Sequence, residues 1–164
     1  MGAEGVGSGR GSAAFIVFSG DMDKLFAAFS LATGAAAMGL EVSMFFTFWA
    51  LPALRQSREF GGKSLSERVL TALLPAGPGG LRTSKLQCFG LGRLLLRSMM
   101  RQHQVATLPE LMATARKLKV RMIVCETAMS LVGIRKAELI DGLEYAGVAS
   151  FLEGASNAKM TLFV

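Results

Sequence analysis

Short, unbroken apolar runs alternate with longer helix-forming stretches along this chain. Ala13 to Phe18 (AAFIVF) ends at Ser19-Gly20-Asp21 and reads as a buried strand followed by a turn. Asp21 or Asp23 can cap the Ala-rich helix that follows to Met38, where Gly39 stops it. Glu41 to Phe48 (EVSMFFTF) is a second buried strand, so strand, helix and strand form a βαβ unit.

The middle breaks this rhythm. Trp49 to Gln56 predicts one short helix and Ser66 to Leu74 another, opened by a Ser64 or Ser66 cap, before Pro75 to Gly80 (PAGPGG) interrupts the chain. Leu91 to Gln102 predicts a helix apolar over much of its circumference, which normally needs a partner surface. Alternation then resumes. Thr107-Leu108-Pro109-Glu110 carries the cap, first-turn proline and third-position glutamate of a helix start, and that helix runs to Lys119. Val120 to Cys125 (VRMIVC) is the third buried strand. A short Lys136 to Ile140 segment, a strand near Leu143 to Tyr145, a helix over Ala146 to Ala155 and a terminal strand Lys159 to Val164 complete the pattern.

The expected fold is α/β, a doubly wound, flavodoxin-like parallel sheet of about five strands with a helical insertion between strands two and three. By residue, 1–12 is a flexible Gly/Ser-rich tail, 13–164 one α/β domain, and roughly 49–106 the insertion. Hydrophobic residues make up 51% of the chain and mean hydropathy is +0.43, so apolar surface must go into buried strands, a subunit interface or a membrane. The longest apolar run, Leu25 to Leu40, lies between Lys24 and Glu41 and falls short of the ~20 residues a span needs. Val42 to Leu54 is shorter and contains Pro52. No transmembrane span is expected. The N-terminus lacks the basic start and apolar middle of a signal peptide, and a cytoplasmic location is expected. A homo-oligomer, with the insertion supplying much of the contact, would absorb the surplus apolar surface.

The formal charge is +6, but the basic residues are scattered and only one Trp and one Tyr accompany them. That is a thin platform for single-stranded nucleic acid, and no nucleic-acid partner is expected. One histidine, His103, excludes a multi-histidine metal site within the chain, and neither a metal nor a cofactor is expected. The two cysteines, Cys88 and Cys125, show neither close spacing nor a zinc-type pattern; a disulfide framework is not expected, and a reducing compartment fits. Gly90-Leu91-Gly92 lacks the preceding strand and third glycine of a dinucleotide fingerprint.

Ligands of open parallel sheets bind outside the carboxyl ends of the strands. In the order 2-1-3-4-5, Ser19-Gly20-Asp21 and Cys125-Glu126-Thr127 would meet in one crevice, walled by Phe46, Phe48, Trp49 and Met129. Cys125 would then stand beside a helix start, a placement that favours the thiolate and hence nucleophilic sulfur chemistry. A buried cysteine packed as a small hydrophobe explains the position equally well.

Five segments in order, FIVFSGDMDK, EVSMFFTFWALPAL, SKLQCFGLG, VCETAMSLVGI and ELIDGLEYAGVASFL, resemble the DsrE/DsrF sulfur-relay family. The similarity is to its larger DsrE-like branch, labelled peroxiredoxin-like or sulfurtransferase, and runs from about Phe15 to Val164. The resemblance implies a flavodoxin-like homo-oligomer (a trimer, tetramer or hexamer) and a cysteine that accepts sulfur as a persulfide. It maps that cysteine onto Cys125, places Met129, Ser130 and Gly133 in the same motif, and matches Ser19, Gly20 and Asp21 to the first loop. Cys88 departs from the family, which usually has an apolar residue there, so filling a Met-sized gap is favoured over a resolving thiol. The implied partners are a rhodanese-type donor and a TusA-like carrier. The rival reading is a non-catalytic module that binds a small anion or acts as a scaffold, including one held at a membrane surface.

Overall fold

The computed structural model describes residues 11–84 and 91–164. The strands are β1 (Ser12–Val17), β2 (Glu41–Phe46), β3 (Arg121–Cys125), β4 (Glu144–Ala146) and β5 (Met160–Phe163). The helices are α1 (Met22–Ala37), α2 (Leu65–Leu73), α3 (Leu91–Gln102), α4 (Leu108–Lys117), α5 (Glu126–Leu131) and α6 (Val148–Ala155). Three 3₁₀ turns, Phe48–Leu54, Pro78–Gly80 and Lys136–Glu138, punctuate the connections among the described residues. The expected α/β class is borne out: the five strands form one parallel sheet with helices on both faces. Among the described residues, the named elements between β2 and β3 are all helical, as the sequence pattern predicts.

The strand order is β4-β3-β2-β1-β5, which corrects the 2-1-3-4-5 order. β2 stands between β1 and β3, and its sequence shows why. Val42, Met44, Phe45 and Phe46 are all buried, so β2 needs a neighbour on each side and cover on both faces. The less buried strands, β4 and β5, take the edges.

Adjacent phenylalanines on β2 identify the two faces. Phe46 meets Phe29 of α1 with ring centroids 5.8 Å apart, while Phe45 stacks on Phe151 of α6 at 4.5 Å. Successive strand residues point to opposite sides, so α1 and α6 cover opposite faces. α1 reaches the sheet through Leu25, Ala28, Phe29 and Ala32, all fully buried at helical spacing. The small alanines let the helix lie close, and α4 packs beside it through Leu108, Met112 and Ala115. β2 ends two residues earlier than the apolar run because Phe48 turns to φ +45° and starts the 3₁₀ turn. At the other end, Gly147 precedes α6 and Ala146 belongs to β4.

The segments after β2 and β3 are locked together by a buried ionic cluster. Arg55 follows the first 3₁₀ turn and Glu138 ends the third, and both side chains are fully buried. Glu138 Oε1 accepts from Arg55 Nη2 at 2.6 Å and from the Glu59 N–H at 2.8 Å. Its Oε2 accepts from Lys63 Nζ at 2.7 Å and from the Arg135 N–H at 2.8 Å. Lys63 also donates to Thr71 of α2 at 3.0 Å. Backbone bonds reinforce the join, Ile140 N–H to Leu54 O at 2.9 Å and Gln56 N–H to Glu138 O at 2.8 Å. Burial alone would raise the Glu138 carboxyl, but the Glu59 N–H, Lys63, the Arg135 N–H and Arg55 together hold it down at about 2.

Candidate functional site

Cys125 is the last residue of β3 and the N-cap of α5. It pairs in register with Ala146 of β4, while the preceding Val124 pairs with Phe46 of β2. Alternation therefore points Cys125 to the α6 face, the side of Phe45 and Ile123, and away from Phe46. The Cys125 thiol is free, and the residue is 2% exposed.

α5 begins immediately after it. Glu126, Thr127 and Ser130 are exposed and Met129 is buried. Lys136 lies 3.3 Å from Glu126, the residue after Cys125, and 4.3 Å over the ring of Tyr145, the residue before its strand partner. The Glu126–Lys136–Tyr145 group carries no local signal in the sequence, since the β3–β4 pairing brings the three residues together. Gly133, in the loop after α5, adopts φ +66°, and a Cβ there would stand 2.9 Å from Glu67 Cγ. The motif's glycine is thus required by backbone geometry and by the close approach of α2.

The other expected crevice residues divide into two groups. Ser19, Gly20, Asp21 and Trp49 line an open cleft of ≈ 700 Å³ at the carboxyl end of β1, with Phe18, Lys24, Pro52, Arg58, Leu74 and Arg82 also on its wall. Cys125, Thr127, Met129 and Ser130 do not line it. Because β2 separates β1 from β3, the structure does not bring the first loop and the cysteine into one pocket. Phe46 is in the α1-side core, and Phe48 packs on Phe18 at 5.7 Å.

Around the first loop, the Ser19 hydroxyl donates to Asp21 Oδ2 at 3.1 Å and accepts from the Asp21 N–H at 3.2 Å. Asp21 precedes α1 but makes no side-chain cap bond to it. Asp23, the alternative cap, instead accepts from the Ser84 N–H at 2.9 Å and from the Ser84 hydroxyl. Gly20 has no room for a side chain: a Cβ would fall 2.2 Å from the Trp49 carbonyl oxygen. Arg58 and Arg82 gave no motif in the sequence and reach the cleft only through the insertion.

Cys88 lies outside the described residues. Among the described residues no group of three His, Cys, Asp or Glu side chains could hold a metal ion, and no helix is long and apolar enough to cross a membrane.

Comparison with known proteins gives a consistent picture. The sequence model of the DsrE/DsrF/DrsH-like family matches residues 10–163. An uncharacterized protein of Bacillus subtilis (strain 168), YrkE, is 37% identical over 150 residues, covering 91% of this chain and 94% of the relative. The sulfur carrier protein DsrE2 of Allochromatium vinosum is 32% identical over 157 residues, covering 92% of this chain and 96% of the carrier. Among solved structures, the YchN protein of E. coli superposes with a TM-score of 0.59 at 13% identity, over 94% of this chain and all of that one, a likeness of fold.

Proposed function

The chain belongs to the DsrE/DsrF/DrsH-like family, and from that premise we propose that it traffics sulfane sulfur, held as a persulfide on Cys125. The observation that carries this reading is the position of Cys125 at the carboxyl end of β3 and the start of α5, in a chain 32% identical to a sulfur carrier. In the transfer, the Cys125 thiolate attacks the outer sulfur of a donor persulfide R–S–SH. The new S–S bond forms on Cys125 as the donor's breaks, R–S⁻ leaves, and the proton stays on the transferred sulfur. No net oxidation occurs. The reverse attack, by an acceptor thiolate on the Cys125 persulfide, unloads it.

In this reading Thr127, Met129 and Ser130 of α5 flank the loaded sulfur, and Lys136 is tied to the start of that helix through Glu126. With Cys125 2% exposed, loading requires the cover over it to part when a donor docks. The donor is a rhodanese-type protein and the acceptor a small TusA-like carrier. The lone described cysteine, unpaired, suits a reducing cytoplasm.

The assembly is a homo-oligomer. Exposed apolar side chains support this: Leu65, Val69 and Leu73 make a stripe along α2, and Leu95 and Met99 stand out from α3. A second reading, an inert cysteine in a binding or scaffold module, is favoured by the burial of Cys125 alone. Iodoacetamide labelling at neutral pH, followed by transfer of labile sulfur to an acceptor thiol, separates the two. A carrier is alkylated without denaturant and delivers sulfur stoichiometrically, whereas an inert cysteine does neither.

A further inference from the structure

The cleft at the carboxyl end of β1 holds charge for which the Cys125 chemistry has no use. Its cations are Lys24, Arg58 and Arg82, and its carboxylate is Asp21. Asp21 is already neutralised by Lys24 at 3.0 Å and by the Ser19 hydroxyl. Arg58 is steadied by one bond from Nη2 to the Leu74 carbonyl at 2.8 Å. Neither Arg58 nor Arg82 has a carboxylate partner among the described residues. Two guanidinium charges thus face a cleft of ≈ 700 Å³, a size typical of small-molecule sites.

The cleft lining also includes an aromatic residue, Trp49, which follows a strained turn. Ala50 to Leu54 are all buried, yet Trp49 beside them is 48% exposed on the cleft. Phe48 adopts φ +45°, a conformation bulky residues rarely take. The Trp49 carbonyl lies close against Gly20, and the half-exposed Trp49 lines the cavity. Strain retained at a bulky residue points to a constrained, functional geometry.

We infer that this cleft binds a flat-ringed phosphomonoester, of which a mononucleotide is the simplest case, with its phosphate on Arg58 and Arg82 and its ring against Trp49. The two unpaired guanidiniums match a dianion in charge, where a single carboxylate would leave one uncompensated. Guanidinium groups fit phosphate oxygens bidentately, and an exposed indole face accepts any planar base. The site lies apart from Cys125 and goes beyond the sulfur reading.

Trp49 is the chain's one tryptophan, so its emission reports occupancy of the cleft directly. The full-length protein is titrated with adenosine 5′-monophosphate, and separately with adenosine and with inorganic phosphate. Arg58→Gln, Arg82→Gln, their double variant and Cys125→Ser are titrated alongside, with far-UV circular dichroism to check folding. The nucleotide should change Trp49 emission saturably and bind at least about tenfold tighter than either fragment. Each arginine variant should weaken it about tenfold, while Cys125→Ser binds like the wild type. No saturable change up to about 10 mM nucleotide, by fluorescence and by calorimetry, overturns the inference. Undiminished affinity in a folded double variant, or phosphate binding as tightly as the nucleotide, overturns it equally. Because Cys125→Ser retains the cleft, failure of sulfur loading and failure of nucleotide binding are separate results.

Discussion

Replacing Glu138 with glutamine removes a charge and almost no volume from the cluster that joins the segments after β2 and β3. Arg55 and Lys63 would then stay buried with no counter-ion, and Arg55 already has Nε and Nη1 without partners among the described residues. Breaking a buried pair by removing one partner typically costs about 3–5 kcal/mol. The carboxyl offers a second route to the number. Its ordinary value is 4.5 and the fold holds it at about 2, a difference worth about 3 kcal/mol at neutral pH. The two figures agree. For a chain of this length that corresponds to a fall in melting temperature of roughly 6–20 °C. The pH dependence has a definite sign. A carboxyl held below its unfolded value contributes fully above about 4.5 and loses that contribution as pH falls toward 2. The gap between wild type and Glu138→Gln should therefore be widest at pH 7 and close on acidification. Urea unfolding from pH 7 down to pH 3 reads this directly. A difference under about 1 kcal/mol at pH 7, or a gap that widens in acid, would refute the reasoning.

Gly133→Ala should destabilise the fold by about 1–2 kcal/mol, because residue 133 sits at φ +66° against Glu67; chemical denaturation measures it, and an unchanged midpoint contradicts it. Arg121→Ala breaks an ion pair whose side chains are 62% and 48% exposed, so the same assay should show less than about 1 kcal/mol. Leu95→Asp and Met99→Asp alter side chains already exposed in one chain, so each should lower the light-scattering mass without unfolding the protein. No shift from either moves the proposed interface off α3.

The fold was largely legible because its signals are local. AAFIVF, EVSMFF and RMIVC are too continuously apolar to be anything but buried strands, and Ser64 with Glu67 and Thr107 with Glu110 mark helix starts. Strand order was not, since it depends on how many sides of β2 need cover, a property of Phe45 and Phe46 jointly rather than of any turn. The same difference moved the candidate site. Cys125 could be placed at a strand end from its own neighbourhood, but Ser19-Gly20-Asp21 belongs with Arg58, Arg82 and Trp49, which only the path of the insertion brings together. Arg55, Lys63 and Glu138 look like solvated charges in the sequence, and nothing local reveals that their side chains pair in the interior.

The central claim, that Cys125 carries the sulfur, meets its most direct test in intact-mass spectrometry after incubation with a persulfide donor. Wild type and Cys88→Ser should each gain the mass of one sulfur atom, removable by a thiol reductant, and Cys125→Ser should gain none. Equal loading of Cys125→Ser, or a wild type that stays unloaded while folded, would contradict the account.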